Sequence, residues 1–395
     1  MHSLPVVIVF WLAVAGLLHS YVVFPLLLRM LAARRQVRIA EPDVAQLPLL
    51  SVVMAAYNEE RVIAAKLDSL FACGYPLDRL EVLVGSDSST DDTDVIVATW
   101  AAHQSGLRLR RFGARTGKAG IINALIAEAR GAVIVVTDAN VMIGPGALQA
   151  LADHFKDPRI GLVDSNMQNL GARRAGISTQ EKSYIRAEVG TKLAEGRLWG
   201  AMTGPFGGCY AVRRELFRPV PANFLVDDFY VNMCVLEQGH ACISEPRALV
   251  YEDVSNDVGE EFRRKTRIAT GNFQNLLRFR HLLLRGHGVG FCFFSHKVLR
   301  WFGPLLILVA LLSSGWLLAA PATPWTWLYG LAFAGLMFCL LLLPLDRLLN
   351  AVNVHLGVLR FNTHFFFMNA ALLLGLLRFL RGVDSGVWQP TRRNQ

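Results

Sequence analysis

The sequence is poor in charge and poorer in acid. Only 18% of its 395 residues are Asp, Glu, Lys or Arg, and 31 acids face 40 Lys and Arg, a formal net charge of +9. Its six cysteines lie scattered. They lack the close pairs of a zinc ribbon or dithiol centre, which excludes both and leaves reduced packing residues without disulfides. No internal repeat or low-complexity tract is visible. No groove-reading motif accompanies the basic charge, which concentrates beside apolar segments at Arg29–Arg38, Arg278–Arg300 and Arg378–Arg393. That placement fits an anionic lipid leaflet and excludes nucleic acid as the partner.

The longest gap in charge runs from Leu4 to Leu28, which holds no Asp, Glu, Lys or Arg. About 20 such residues cross a ~30 Å hydrocarbon core. The basic residues follow the run instead of leading it, unlike a cleaved signal peptide, and predict an outside N-terminus with entry into the cytoplasm near Arg29. Further spans are expected over Leu299–Ala320 and Leu328–Leu345, joined by a loop whose Trp325 and Trp327 suit the membrane interface. The apolar run Phe365–Leu377 is short enough to read as interfacial or re-entrant, with four spans as the alternative. The chain thus divides into a membrane helix over 1–30, a basic linker over 31–48, a cytoplasmic domain over 49–285, a membrane region over 286–382 and a basic tail over 383–395.

Between the apolar ends, strands and helices alternate, the pattern of βαβ units and a mostly parallel sheet. Buried strands are expected at Leu49–Ala55, Leu80–Gly85 and Ala132–Val136, with a less buried one at Leu107–Phe112. Three of these strands stop at polar residues: Asn58 and Glu59, Asp87, and Asp138 with Asn140. Ligands in open α/β sheets sit beyond the carboxyl ends of strands. Each acid alone fits a solvated turn or helix cap as well; together they suggest a nucleotide-binding rim. A long amphipathic helix is expected over Gln180–Leu198, with Glu181, Glu188 and Glu195 on one face, and a strongly basic one over Glu260–Arg280.

The ordered segments VVMAAYNEE, GSDSSTDDT, GKAGIINALI, VTDAN and VDDFYV resemble the family 2 glycosyltransferases, the group that includes cellulose-, hyaluronan- and exopolysaccharide-synthesising membrane enzymes. The resemblance covers Leu49–Leu276 and implies a GT-A fold, Rossmann-like, flanked by transmembrane helices. Tyr57, Asn58 and Glu59 match the segment that packs on the donor nucleotide, with Ala55 where proline is usual. Asp87 matches the acid that hydrogen-bonds uracil or ribose, and Lys118 the lysine that faces the donor. Asp138 and Asn140 match the DxD motif that holds Mg²⁺ or Mn²⁺ on the diphosphate, with a neutral amide in place of the second acid. Asp228 matches the general base and Asp227 its neighbour on the acceptor side. Gly207, Gly208 and Cys209 fall where the acceptor binds. Arg264 and Arg267 fall where processive synthases carry QxxRW and are expected to face the diphosphate; Ile268 stands in place of the tryptophan that would stack on a growing glycan.

The resemblance implies an inverting transfer from a nucleotide sugar, expected to be a UDP-sugar, to a lipid-linked or polysaccharide acceptor. The expected setting is a bacterial inner membrane, multi-pass, in exopolysaccharide or envelope glycan synthesis. Transfer to a polyprenyl phosphate and processive polymerisation are the nearby alternatives, and a non-catalytic nucleotide-sugar sensor is the alternative of another class. The spans offer few polar residues for a secreted glycan, so any export would need a further partner.

Overall fold

The computed structural model describes residues 4–33, 47–170, 178–253, 258–286, 288–321, 323–352 and 354–383. Most of the expected linker and nearly all of the expected tail lie outside them. The chain opens with α1 (Leu4–Leu18), a π-helical turn and α2 (Phe24–Ala32). The domain then runs β1 (Leu50–Ala56), α3 (Ile63–Phe71), β2 (Leu80–Ser86), α4 (Thr93–His103), β3 (Leu107–Arg111), α5 (Lys118–Glu128), β4 (Val133–Thr137), β5 (Val141–Ile143) and α6 (Ala147–Asp153). Its second half is β6 (Ile160–Leu170), α7 (Ser178–Trp199), β7 (Cys209–Arg213), α8 (Asp227–Glu237), β8 (Ala241–Asp253) and α9 (Val258–Phe279). Short α10 (Val289–Cys292) and α11 (Leu299–Trp301) lead to α12 (Gly303–Ala319), α13 (Thr326–Ala351) and α14 (Gly357–Arg381).

The eight strands form one sheet in the order β3-β2-β1-β4-β7-β6-β8-β5. Strands β3, β2, β1 and β4 are parallel. Strand β7 runs antiparallel to both β4 and β6, while β8 is parallel to β6 and antiparallel to β5. The sheet is therefore mixed, and only its first half is the parallel layer that the βαβ pattern predicts. Strands β1, β2 and β4 are unbroken apolar runs because helices cover both faces. Val53 and Val136 pack on the side of Ile121, Leu125 and Phe229, whereas Val52, Met54 and Val135 pack on the side of Ile63, Leu67 and Leu148. Each such burial contributes roughly 1.5–3 kcal/mol.

Among the described residues three helical segments are long and apolar enough to cross a bilayer: Leu4–Ala32, Thr326–Ala351 and Gly357–Arg381. The run read from sequence as interfacial is thus part of a 25-residue helix. A fourth candidate, Val289–Trp301 with Gly303–Ala319, is bent by 62°. Pro304 accounts for the break, since it has no N–H to give the Arg300 carbonyl. Helix α14 lies along α9, with Phe367 against Phe262 at 4.9 Å and Phe379 against Phe273 at 6.2 Å between ring centroids. At Gly375 the two helices pack closely: a Cβ there would sit 2.4 Å from the Ala269 Cβ.

Candidate active site

The carboxyl ends of β1, β2 and β4 are laced together before any ligand is considered. Asn58 takes a left-handed φ of 53°, a conformation Asn tolerates. Its Oδ1 accepts from the Thr90 N–H at 2.8 Å, and its own N–H donates to Ser89 Oγ at 3.2 Å. The Glu59 N–H donates to Thr93 Oγ1 at 2.8 Å. Asp87 is fully buried and turned toward its own chain. Its carboxylate accepts from the Thr116 N–H at 2.6 Å, from Gly117 N–H, and from Arg115 Nε at 3.0 Å. The same Arg115 guanidinium lies 3.4 Å from the centroid of the Tyr57 ring. Asp87 therefore shapes the 115–117 turn before α5.

That turn aims Lys118 at the acids. Its Nζ lies 2.8 Å from Asp138 Oδ1 and 3.4 Å from Asp227 Oδ2. Burial works to lower its pKa, but Asp138 and Asp227 outweigh burial and hold the amine above its ordinary value. Asp227 and Asp228 open α8, and the segment before them is clamped by α9. Arg267 donates to the Leu225 carbonyl at 3.0 Å, Gln274 accepts from the Leu225 N–H at 3.1 Å, and Asn275 donates to the Val226 carbonyl at 3.1 Å. Burial, with the nearby Arg264, lowers the pKa of Arg267, which lines the same cavity as the acids.

Asp228 faces Gly207. This glycine has a φ of 82°, and a Cβ there would sit 2.6 Å from Asp228 Oδ2. Only glycine brings the 204–208 loop this close to the carboxylate. Burial first, and the neighbouring Asp227 second, push the Asp228 carboxyl up to about 7, against the pull of Lys118. A carboxylate near half-ionised at neutral pH is suited to general base work.

Sequence reading places Gly208 and Cys209 with Gly207. Gly208 does line the cavity, but Cys209 is wholly buried in β7 opposite Thr137, its thiol pushed up to about 11 by burial. It supports the floor and does not present itself to an acceptor. The 202–208 loop is held instead by residues to which sequence reasoning gives no site role. Glu195 accepts from the Thr203 N–H and Oγ1, Asn232 accepts from the Gly204 N–H at 3.0 Å, and Asp164 accepts from the Phe206 N–H at 3.3 Å. Lys192 pairs with Asp164 at 3.1 Å and lies 3.4 Å from the Phe206 ring centroid. The heptad spacing of Glu188 and Glu195 was the visible signal for this layer. Both carboxylates meet His296, at 3.0 and 2.8 Å, and Glu188 also takes Lys297 and Arg300. The side chain of Glu181 lies outside the described residues.

A second missed residue is Lys66, wholly buried beneath the Asp138–Asn140 turn. Its ammonium donates to Thr137 Oγ1 at 2.8 Å and to the Val141 carbonyl, spanning the turn from below. Burial pushes its amine down to about 8. Its signal was a lysine three residues after Ile63 and four before Leu70, on the apolar face of α3.

Asp138 and Asn140 both line the cavity. The Asn140 amide donates to Glu252 Oε1 at 3.0 Å, and Glu252 lines the cavity too. A carboxylate from β8 therefore stands beside the neutral residue of the DAN turn. These oxygens fit a hard cation carried on a diphosphate, Mg²⁺ or Mn²⁺. They do not make a complete cage: no cluster of three or more His, Cys, Asp or Glu able to hold a metal is found among the described residues. Arg264, the last predicted donor contact, also lines the cavity and pairs with Glu261 at 3.4 Å.

The comparisons with known proteins agree with this geometry. The family model described as Glycosyl transferase family 2 matches residues 51–220. The chain is similar to "Probable glycosyltransferase YdaM" of Bacillus subtilis, 27% identical over 60% of this chain and 58% of that protein. It is also similar to the beta-monoglucosyldiacylglycerol synthase of Nostoc, 34% identical over 36% of this chain and 30% of that one. The chain thus spans between about a third and somewhat over half of these relatives. The solved structure of mannosyltransferase PcManGT from Pyrobaculum calidifontis, in complex with GDP-Man and Mn²⁺, superposes with a TM-score of 0.71 at 23% identity, over 94% of this chain and 99% of that one. Sheet order and the superposed structure together show a GT-A fold, and within it residues 51–220 match the family 2 glycosyltransferase model.

Proposed function

We propose that the protein is a membrane-bound, inverting glycosyltransferase that moves a sugar from a nucleoside-diphosphate donor to a hydroxyl of an acceptor held at the membrane face. One observation carries the reading. A single cavity of about 1920 Å³ is lined at one end by Lys118, Asp138, Asp228 and Arg267 and at the other by residues of α2 and α14.

The donor diphosphate would lie between Asp138, Lys118 and Arg267. A divalent cation held by Asp138 and Asn140 beside Glu252 would supply charge neutralisation for the leaving diphosphate. Lys118, paired with Asp138 and Asp227 in the free protein, turns to the phosphates and offers a point charge. Asp228 takes the proton of the acceptor hydroxyl. The hydroxyl oxygen then bonds to the anomeric carbon as the bond to the diphosphate oxygen breaks, and the electron pair leaves with the nucleoside diphosphate. One displacement inverts the anomeric centre. A UDP-sugar is the favoured donor, and the domain is assigned to the cytoplasmic side of a bacterial inner membrane on the basic residues after α1.

Release of nucleoside diphosphate from UDP-glucose, UDP-N-acetylglucosamine and GDP-mannose, with and without membrane lipid, tests the reading. Lipid-stimulated release from one of them is expected. Binding of a nucleotide sugar without turnover under every condition would favour the sensor.

A further inference from the structure

The 203–208 loop touches both ends of the site. At its far end the Gly208 carbonyl accepts from the Asp138 N–H and from Thr137 Oγ1, each at 3.0 Å, which ties the loop to the donor-side acid. Before that it presses on the helix that carries Asp228. Gly204 and Gly207 take left-handed φ values of 79° and 82°. A Cβ on the first would sit 2.7 Å from the Phe229 ring, and one on the second 2.6 Å from Asp228 Oδ2. The loop therefore bridges the interval between Asp138 and Asp228, the interval that an in-line displacement needs held constant.

At the loop's near end one side chain joins it to the helix of the base. Asn232 lies four residues after Asp228 in α8, so the two share a helix face. Asn232 is wholly buried, and both ends of its amide are used. Its Nδ2 donates to the Met202 carbonyl at 3.1 Å, and its Oδ1 accepts from the Gly204 N–H at 3.0 Å. An apolar side chain of similar bulk would fill the space and leave both backbone groups unpaired. The other holds on the loop, Glu195 on Thr203 and Asp164 on Phe206, come from α7 and β6 and do not link it to α8.

Resting on the transferase reading above, we infer that Asn232 is a positioning residue: it sets the gap between the 203–208 loop and Asp228 and, through Gly208, the separation of base and donor. The test is release of nucleoside diphosphate, with membrane lipid present, from whichever of UDP-glucose, UDP-N-acetylglucosamine and GDP-mannose turns over. Asn232→Leu should lower kcat about a hundredfold and leave the calorimetric affinity for the nucleotide unchanged. A loosened loop also admits water to Asp228. Burial is the first cause of its raised pKa, with Asp227 adding to it and Lys118 and Lys192 opposing it. The acid limb of the pH–rate profile should therefore move down by about one unit. Val235→Ala is the control, since Val235 is equally buried on α8 but packs against Gly161. It should lower the melting temperature and leave kcat and the acid limb in place. Should Asn232→Leu fold poorly, Asn232→Ala is read in the same way. An unchanged kcat, a fall in kcat with a fixed acid limb, or loss of the fold in both variants makes Asn232 a packing residue and overturns this inference while the transferase stands. Failure of the unmodified protein to bind or turn over any nucleotide sugar removes the transferase reading, and this inference with it.

Discussion

At the scale of single residues the site is built from acids placed where they are costly. Asp228 holds its proton to a higher pH in the folded chain than in the unfolded one, because burial and Asp227 disfavour its charge. Turnover should therefore fall on the acid side of about pH 7, as the base is protonated, and a pH–rate profile at saturating donor would show that limb. The same shift has a stability consequence. The folded state loses stability as pH rises from the unfolded carboxyl value near 4, and the loss is complete above about 7. Asp228→Asn should abolish turnover, by a factor of about 10³ or more, and yet raise the melting temperature at pH 8, a gain that vanishes near pH 4. Nucleotide binding by calorimetry should survive. Gly207→Ala should cost about 1 kcal/mol for its left-handed backbone and displace Asp228 as well, lowering kcat more than it raises the donor KM. At Asn140 the expected effect runs against the motif: Asn140→Asp would set a second carboxylate against Glu252, which the amide now bonds at 3.0 Å. The metal-free variant should melt earlier than the parent, and Mn²⁺ should recover the difference.

At the scale of elements, legibility followed the strength of the pattern. β1, β2 and β4 could be read because strands buried on both faces leave continuous apolar runs, and their polar ends marked the rim. β6 could not, since Asp164, Ser165, Asn166 and Gln168 interrupt it. Asp164 and Ser165 are buried nonetheless, because one holds Lys192 and the other donates to the Cys209 carbonyl at 2.6 Å. Those partners come from elements 28 and 44 residues away, a distance no local pattern encodes. Cys209 shows the converse. A motif places a residue at the rim, but only packing decides whether its side chain turns to the ligand or to its own chain. Lys66 is the clearest hidden element contact, joining α3 to the turn after β4. Lys66→Met should leave Thr137 and the Val141 carbonyl without their buried donor, lowering stability by about 1–3 kcal/mol. Its weakened grip on the turn should show as looser Mn²⁺ binding in the presence of UDP.

At the scale of the whole molecule, the catalytic domain and the apolar helices are not separate bodies joined by a leash. Helix α9 grips the residues before Asp227 on one side and lies along α14 on the other. On the proposed reading, a tilt of α14 would be passed through α9 to Asp228, because Gly375 leaves no slack against Ala269. On that reading a surrounding bilayer would be a setting of the catalyst as well as its container. Acyl chains a few carbons shorter or longer should change the turnover number even when donor and acceptor are saturating, so hydrocarbon thickness would act as a throttle on proton removal.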